Sequence, residues 1–429
     1  MAELIIRGGA LLHGSVKAPP SKAHTHRAII ASSLSSGESD IRNPLFCDDI
    51  SATIRACRML GAGISAHGQD LIRVKGSPKP ETPPDVIDCG DSGSTIRFIT
   101  PICALADGIS VLTGGESLRR RPMAPLLEAL NQLGVKCYST RMDGRPPIVV
   151  FGGGIRGGKT ALRGDVSSQF ITGLLFATPM AEGDTEIVLS THLESKPYVE
   201  ITLDTLRRHC VRVDFNGGLF HIPCRQEYKP CNHIIEGDYS SAAFLLAAAT
   251  ITNSHIRVEG LMRDSLQGDR IIVDVLRGMG ADVDLGWDYV EVKGAVEHLE
   301  PINLDMRDSP DLVPVCAVLA CFSRGVSVIR GVGRLRFKES DRIEALTSEL
   351  SKMGASVGFM EDKLIIQGGG SLRGAEIKPH GDHRIAMACA VAALKARGET
   401  IIHDVECINK SYPNFIRDLC LLGAEVIER

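Results

Sequence analysis

The sequence has 429 residues, enough for two or three domains that each bury a real hydrophobic core. Its composition is typical of globular proteins, with 44% hydrophobic and 23% charged residues. The formal net charge of −4 argues against a general polyanion-binding protein, and a single tryptophan argues against stacking platforms for single-stranded nucleic acid.

Cysteine usage and hydropathy indicate where such a chain works. The 13 cysteines include no C-x-x-C pair, a pattern typical of free, buried thiols in a reducing compartment. No apolar run approaches the roughly 18–20 residues that a membrane span needs, and the first residues lack a signal-peptide pattern. We therefore expect a soluble, cytoplasmic protein with no membrane or nucleic-acid partner.

An internal repeat organises the whole chain. Six polar or acidic starts, each followed by an apolar helical run, are spaced 70 to 74 residues apart: Ser21, Asp91, Asp165, Asp238, Asp308 and Asp382. A Leu-Gly or Met-Gly pair recurs in phase with them, except that His209-Cys210 replaces it in the third copy. This period predicts six copies of a small α/β module, three before about residue 235 and three after.

The elements follow the same order within each copy. In the first copy we predict helices over 22–34 and 50–60, the second ended by Gly61, then a loop-bounded strand over 71–75. The Pro-rich segment 77–84 is a loop. The fourth copy predicts helices over 239–251 and 269–279, with strands over 256–259 and 289–293.

Capped helix starts can also bind anions. Ser, Asp and Gly at the six starts are N-cap residues, and a helix N-terminus carries about half a positive charge. Capping alone is the ordinary reason for such residues. Basic residues nevertheless recur at the same phase of the copies, and together they suggest one anionic ligand: Lys22, Arg27, Arg97, Arg119, Arg120, Arg121, Arg384 and Lys410.

The segment 336–343 carries the densest charge, with three cations and two carboxylates ahead of a helix predicted over 343–353. Such runs are usually solvated helix starts. Here Lys338 and Arg342 are spaced i, i+4, and Glu339 lies three residues before Arg342, so their side chains can meet. Cations at a helix N-terminus are unfavourable unless an anion is present.

These motifs resemble the enolpyruvyl transferase family over essentially the whole chain. Segment 336–343 matches one family signature without a mismatch, and segment 89–95 matches the other except for Asp91 and Ser94. Segments 165–170, 195–198, 310–311 and 382–384, with Lys410, match further blocks. Two more positions depart from the family pattern, Ala23 and Arg334, and Thr25 is the neighbouring hydroxyl that could replace the one absent at position 23.

The resemblance implies an architecture. It is an α/β fold of two similar domains, each an inside-out barrel of three repeated units with helices inside and sheets outward. Residues 1–20 and 236–429 would form one discontinuous domain, and residues 21–235 the inserted one. The resemblance also implies a monomer that needs no cofactor.

The resemblance further implies transfer of the enolpyruvyl group of phosphoenolpyruvate to the 5-hydroxyl of shikimate 3-phosphate, on the route to aromatic amino acids. Phosphate leaves after a tetrahedral intermediate. Shikimate 3-phosphate would be held by Lys22, Arg27, Ser167, Ser168, Gln169, Ser195, Tyr198, Asp311 and Lys338. Phosphoenolpyruvate would be held by Lys22, Gly93, Arg121, Gln169, Arg342, Arg384 and Lys410.

Catalytic roles follow from the same matches. Asp311 is the candidate for accepting the hydroxyl proton, and Glu339, with Lys22 or Lys410, the candidate for handling the methyl proton. The choice among these three remains open. Gly93 lies where the family's backbone approaches phosphoenolpyruvate, so the inhibitor glyphosate is expected to compete there.

Other functions are less well supported by the sequence. A sister member uses a UDP-N-acetylglucosamine acceptor and carries a reactive cysteine before its Arg-Pro pair, where this chain has Glu116. A catalytically inactive anion-binding relative is the second alternative. Segment 153–160 fits the P-loop pattern, but no helix start follows Lys159-Thr160, so we expect a hairpin there. No histidine pair has metal-ligand spacing with an acidic or thiol partner.

Overall fold

The computed structural model describes residues 2–295 and 298–429. The chain divides into two compact units, which we treat separately. The split unit contains the residues up to Pro19 together with Glu236–Arg429, and the inserted unit is Pro20–Ile235.

Thirteen α-helices are found in the described residues. They are α1 (Lys22–Ser33), α2 (Asp48–Met59), α3 (Gly93–Cys103), α4 (Glu116–Arg119), α5 (Ala124–Gln132), α6 (Ser168–Ala177), α7 (Lys196–Arg208), α8 (Tyr239–Ile251), α9 (Ile272–Gly278), α10 (Val313–Cys321), α11 (Arg342–Lys352), α12 (His383–Lys395) and α13 (Phe415–Leu421). Short 3-10 helices cover Thr178–Met180, Gly268–Ile271, Pro310–Leu312, Gly333–Phe337 and Val405–Lys410.

The described residues also form 24 strands. They are β1 (Leu4–Arg7), β2 (His13–Lys17), β3 (Glu38–Arg42), β4 (Gly63–His67), β5 (Leu71–Lys75), β6 (Ile87–Asp88), β7 (Ile109–Thr113), β8 (Cys137–Ser139), β9 (Ile148–Phe151), β10 (Gly158–Leu162), β11 (Thr185–Leu189), β12 (Asp214–Asn216), β13 (Leu219–Ile222), β14 (His233–Ile234), β15 (His255–Glu259), β16 (Ala281–Leu285), β17 (Tyr289–Ala295), β18 (Asn303–Asp305), β19 (Val326–Arg330), β20 (Ser356–Met360), β21 (Lys363–Gln367), β22 (Glu376–Ile377), β23 (Glu399–Ile402) and β24 (Val426–Glu428).

The strands form six four-stranded sheets with one common plan. In each sheet a parallel pair is followed by two antiparallel pairs, as in the order β10-β11-β13-β12. The inserted unit also contains β14-β3-β5-β4 and β6-β7-β9-β8, and the split unit contains β2-β15-β17-β16, β18-β19-β21-β20 and β22-β23-β1-β24. The sixfold repeat in the sequence is therefore a sixfold repeat of one sheet-and-helix module.

The first helix of each copy lies at the centre of its unit. In the split unit, α8, α10 and α12 pack on one another, and every residue of α8 and α10 is buried. A helix that is apolar on all sides is typically buried all round, which agrees with the apolar sequences of α8 and α10. In the inserted unit α3 packs on α6 in the same way. The strands bury alternate residues, so each sheet covers this core with one face.

Most predicted elements agree with the structure. The strand predicted over 71–75 and the helix predicted over 239–251 coincide with β5 and α8, and segment 77–84 contains neither helix nor strand. The helix predicted over 269–279 is a 3-10 turn followed by α9. The predicted hairpin near Lys159 is wrong, because β9 and β10 belong to different sheets, although no helix follows this segment and a P-loop is absent there.

The predicted helix starts are partly wrong. Ser21, Asp238 and Asp382 do cap α1, α8 and α12, each accepting a backbone N–H. In the second and third copies the caps are Ser92 and Ser167, one or two residues beyond the acidic residue that marks the period. In the fifth copy a 3-10 turn precedes α10. Ser309 before the turn and Leu312 before the helix make no capping hydrogen bond through their side chains. Hydroxyl and carboxylate oxygens cap equally well, so the sequence repeat alone could not distinguish neighbours.

The Leu-Gly marker and its exception also have a structural reason. Gly61 has φ +98°, the left-handed conformation that ends α2 and that glycine adopts without strain. In the third copy Cys210 takes this conformation with φ +61°. His209 before it is buried, contacts the carbonyl of Lys229 through Nδ1 at 2.7 Å, and meets His233 through Nε2 at 2.9 Å. The exception therefore serves to anchor β14.

Within the described residues, no helix is both long and apolar enough to cross a membrane. The 13 cysteines are all free thiols, eight of them buried.

Candidate active site

A buried arginine holds three carboxylates in the split unit. Arg342 begins α11 and its side chain is 1% exposed. Its Nη1 lies 2.8 Å from Asp311 Oδ1, its Nη2 lies 2.7 Å from Glu339 Oε2, and its Nε lies 2.8 Å from Asp382 Oδ2. Burial opposes its charge, but the carboxylates of Asp382, Glu339 and Asp311 outweigh burial and hold the Arg342 pKa above its ordinary value. The predicted contact between Glu339 and Arg342 is present.

Asp382 ties this cluster to the start of α12. Its carboxylate caps that helix by accepting the Arg384 N–H at 2.9 Å, and it also accepts the Ser340 hydroxyl at 3.1 Å. Asp382 is fully buried, so its two oxygens depend on these donors and on Arg342. This geometry fixes Arg384 relative to Arg342.

Asp311 contacts three cationic side chains. Besides Arg342, it meets Lys338 Nζ at 3.5 Å and Arg384 Nη2 at 3.6 Å. Burial would raise its pKa, yet Lys338, Arg384 and Arg342 together hold the Asp311 pKa well below its usual range. Lys338 shows the converse effect, since burial lowers the pKa of its ammonium. The carboxylate is ionised and can accept a proton, but its surroundings make it a weak base until an anion offsets the cations.

The loop ahead of α12 is held from two sides. Lys410 Nζ donates to the carbonyl of Gly381 at 3.1 Å. The buried Glu349, seven residues after Arg342 on α11, accepts the Lys378 N–H at 3.0 Å and meets His380 Nε2 at 3.0 Å. Helix α11 therefore contacts this loop at both Arg342 and Glu349.

In the inserted unit, Arg27 is locked in place by α7. Its Nε donates to the Thr202 hydroxyl at 2.8 Å and its Nη2 donates to the Tyr198 carbonyl at 2.8 Å, while Nη1 donates to the Ala23 carbonyl. Burial lowers the Arg27 pKa to about 10, which still leaves the guanidinium charged near neutral pH. On the same helix α1, Lys22 pairs with Asp49 at 3.1 Å.

A second group in the inserted unit surrounds Gly93, the first residue of α3. A Cβ placed on Gly93 would lie 2.7 Å from Arg121 Nη1, 3.4 Å from Arg97 Nη1 and 3.7 Å from Gln169 Oε1. Gln169 accepts from Arg97 at 2.6 Å and donates to the Ser94 hydroxyl at 2.9 Å. The three residues predicted to hold phosphoenolpyruvate here, Gly93, Arg121 and Gln169, therefore meet.

The remaining serines lie at helix starts. Ser167 caps α6 by accepting the Gln169 N–H, and Ser168 is the first residue of that helix. Ser195 precedes α7 in the left-handed conformation, with φ +55°. A non-glycine residue with positive φ is strained, and such strain is common at functional positions.

Sequence reasoning assigned no role to several residues that the structure puts in these clusters. Arg97 was noted only because it recurs with other basic residues at one position of the sequence repeat, yet it contacts Gln169 beside Gly93. Asp382 belonged to a matched block, and its buried contact with Arg342 required coordinates. Asp49 in the first turn of α2 pairs with Lys22 of α1, a contact between helices that sequence reasoning did not predict.

The structure also answers the question raised at Ala23. The Thr25 hydroxyl donates to the Ser21 carbonyl at 2.8 Å and accepts the Leu45 N–H at 3.2 Å, and the residue is fully buried. It is therefore committed to the protein and does not replace a hydroxyl at position 23. Arg334, the other departure, donates to the Arg307 carbonyl. Within the ranges that the structure describes, no group of three or more histidine, cysteine or acidic residues could hold a metal ion.

Comparison with known proteins decides the family. Residues 6–419 match the family of EPSP synthase (3-phosphoshikimate 1-carboxyvinyltransferase). The chain belongs to the EPSP synthase family. A 3-phosphoshikimate 1-carboxyvinyltransferase of Methanocaldococcus jannaschii is 45% identical over 425 residues, covering 99% of each chain. The enzyme of the same name from Methanothermobacter thermautotrophicus is 43% identical over the same length.

Solved structures share the fold. An EPSP synthase of Acinetobacter baumannii aligns with a TM-score of 0.85 at 26% identity, covering 100% of this chain and 99% of that one. The enolpyruvyl transferase NikO of Streptomyces tendae aligns with a TM-score of 0.81 at 20% identity, a likeness of fold alone. The predicted family, the predicted α/β fold of the enolpyruvyl transferase type and the prediction of an enzyme are confirmed.

Proposed function

We propose that this EPSP synthase family member transfers the enolpyruvyl group of phosphoenolpyruvate to the 5-hydroxyl of shikimate 3-phosphate and releases phosphate. The observation that carries the proposal is Asp311, an ionised carboxylate in contact with Lys338, Arg342 and Arg384. A pure anion-binding protein needs the cations but gains nothing from a carboxylate among them, because it repels the ligand. The names of the relatives support the same reaction.

In this proposal shikimate 3-phosphate is bound by lysine ammonium groups, an arginine guanidinium group and hydroxyl groups. Arg27 is held rigid by three hydrogen bonds, so it can meet a phosphate with little loss of side-chain entropy. Asp311 and Lys338 of the split unit are proposed to contact the ring hydroxyls. The further proposed contacts are Lys22, Ser167, Ser168, Gln169, Ser195 and Tyr198.

Phosphoenolpyruvate is proposed to use the guanidinium groups. Arg121 and Gln169 border Gly93, where the missing side chain leaves backbone accessible to a phosphate. Arg384 and Lys410 supply cations in the split unit, with Lys22 in the inserted unit. Arg342 is proposed as a further contact, although three carboxylates already use most of its donors, so its main contribution is to orient them.

The proposed mechanism begins at Asp311. Its carboxylate accepts the proton of the 5-hydroxyl as the oxygen attacks C2 of phosphoenolpyruvate, and C3 gains a proton to become a methyl group. The bound anions offset Lys338 and Arg384, which strengthens Asp311 as a base at the moment it is needed. The product is a tetrahedral ketal phosphate.

When the tetrahedral intermediate breaks down, the methyl group loses a proton. Loss of a proton from the methyl carbon reforms the double bond as the C2–O bond to phosphate breaks. Glu339, with Lys22 or Lys410, is proposed to deliver and remove this proton. Glu339 lies 2.7 Å from the Arg342 guanidinium, in the same cluster as Asp311.

The sister reaction with a UDP-sugar acceptor is disfavoured by the loop ahead of Pro122. Glu116 occupies the position of the reactive cysteine, lies at the start of α4 and pairs with Arg120. The nearest cysteines in the sequence are Cys103 and Cys137, both buried, and burial raises the pKa of each thiol to about 12. We further propose a cytoplasmic monomer that uses no cofactor.

The test is phosphate release from phosphoenolpyruvate with each acceptor in turn. We expect release only with shikimate 3-phosphate, and one phosphate for each 5-enolpyruvyl product formed. Release with UDP-N-acetylglucosamine instead would select the sister reaction. Tight binding of both substrates without release by either acceptor would leave only the anion-binding alternative.

A further inference from the structure

A buried carboxyl group within electrostatic range of Asp311 takes no part in the proposed mechanism. Asp269 lies in the 3-10 turn Gly268–Ile271 ahead of α9 and is 1% exposed. Its Oδ2 accepts the hydroxyl of Ser240 on α8. Its Oδ1 is buried and has no hydrogen-bond partner among the residues that the structure describes. A buried carboxylate oxygen without a donor is costly, so this arrangement favours the protonated acid.

Three charged groups on other elements act on Asp269. Asp311 and Asp238 oppose its ionisation, and Arg384 favours it. Arg384 Nε and Nη1 are themselves buried and unpartnered within the described part of the chain, so this guanidinium has donors to spare. Cys316 of α10 also lies within electrostatic range, but burial, reinforced by the charge of Asp269, raises its pKa so far that it stays a neutral thiol.

Together these effects bring the Asp269 pKa close to neutral pH. Burial first, and the like charge of Asp311 second, raise the Asp269 pKa to about 7, against the opposing effects of Ser240 and Arg384. A carboxyl group with such a pKa changes charge close to neutral pH. The neighbouring Asp311 does not, because its cations hold its pKa far lower.

We propose that Asp269 is a positioning residue for the Asp311–Arg384 pair, and that its loss of a proton draws Arg384 away from Asp311 and weakens phosphoenolpyruvate binding. The inference rests on the proposed function. While Asp269 is neutral, Arg384 is shared between Asp311 and the anionic ligand. Once Asp269 is ionised, its negative charge attracts the Arg384 guanidinium and opposes the binding of an anion.

The experiment compares the protein with Asp269→Asn between about pH 6 and 8.5. Asparagine keeps the shape of the neutral acid and cannot ionise. Dividing the KM for phosphoenolpyruvate of the unchanged protein by that of the variant cancels the titration of the substrate itself. We expect this ratio to rise about three- to tenfold through pH 7, with the KM for shikimate 3-phosphate changed much less.

Two further variants separate this role from a structural one. Asp264→Asn makes the same change of charge in the same loop at an exposed residue, and its KM ratio should stay flat with pH. Ser240→Ala removes the hydroxyl that favours the ionised carboxylate, so the inflection should move to higher pH. A flat ratio for Asp269→Asn, or the same rise for Asp264→Asn, would overturn the proposal.

An infrared difference spectrum keeps this proposal distinct from the proposed function. The spectrum of the ligand-free protein minus that of Asp269→Asn should contain a protonated carboxyl band at about pH 6 that disappears by about pH 8.5. That band needs no substrate. If the band titrates but no phosphate is released, the proposed function fails and the state of Asp269 stands. If phosphate is released but the band is absent at about pH 6, the role of Asp269 fails.

Discussion

An alanine at position 93 tests whether the first residue of α3 faces phosphoenolpyruvate. The added Cβ would lie 2.7 Å from Arg121 Nη1, closer than real carbon–nitrogen contacts allow, and no backbone atom is among its three nearest neighbours. Gly93 lies in a helix without positive φ, so the backbone accepts alanine. The guanidinium of Arg121 must therefore move, and the fold need not.

The size of the effect follows from that displacement. Restoring an ordinary contact of about 3.4 Å moves the guanidinium by roughly 0.7 Å, enough to weaken one charge-assisted hydrogen bond without abolishing it. A loss of about 1–2 kcal/mol raises the KM for phosphoenolpyruvate about 5- to 30-fold. Glyphosate is longer and must reach the same cations past the new methyl group, so its inhibition constant should rise by a larger factor.

The assay measures both constants at saturating shikimate 3-phosphate. Gly278→Ala is the matched control, because a Cβ on this exposed residue of α9 would meet no atom within 4 Å. The control should leave both constants unchanged. Equal factors for KM and for the glyphosate constant in Gly93→Ala would show that Gly93 does not face these ligands, and unchanged constants would remove Arg121 from the site as well.

Three further predictions test other parts of the molecule. Asp311→Ala and Glu339→Gln should each lower kcat by about 10²- to 10⁴-fold, and a near-normal kcat in either variant would remove that residue from the mechanism. Glu349→Gln weakens the hold on the loop ahead of α12, so the KM for phosphoenolpyruvate should rise about 3- to 10-fold with kcat little changed, and an unchanged KM would argue that this loop needs no such support. Burial lowers the pKa of His209 to about 4 and that of His233 to about 3, from an ordinary 6.5. Below pH 6.5 the unfolded chain therefore binds protons that the folded chain excludes, and urea titration should show the free energy of unfolding falling by up to about 1.4 kcal/mol per pH unit per histidine; His233→Gln should flatten that slope.

The periodicity of the sequence predicted the fold well because it has direct physical causes. The first helix of a copy is largely buried, completely so in α8 and α10, and the residue after the next helix adopts positive φ, so both markers recur with the module. The caps were less predictable. Ser92 and Ser167 cap their helices although acidic residues mark the period, because serine and aspartate oxygens are interchangeable as acceptors.

The candidate site was predictable where residues are adjacent in sequence and not where helices bring them together. The spacing of Glu339 and Arg342 predicted their contact. The contacts of Arg342 with Asp311 and Asp382 join positions 31 and 40 residues away, and nothing local in the sequence encodes them. Asp269 gave no signal at all, because a carboxyl group acquires an unusual pKa only from its burial and its neighbours.

The route of the chain through the sheets has a consequence for synthesis. Strands β1 and β2 precede the inserted unit, yet β1 pairs with β23 and β24, and β2 pairs with β15. Pro20–Ile235 contain every strand of their own three sheets, including β14, which pairs with β3. On the ribosome the inserted unit can therefore complete its core first, while the leading strands wait for partners made more than 200 residues later. During that interval their apolar side chains, such as Leu4 and Ile6, which the fold buries completely, have no partner strands to cover them.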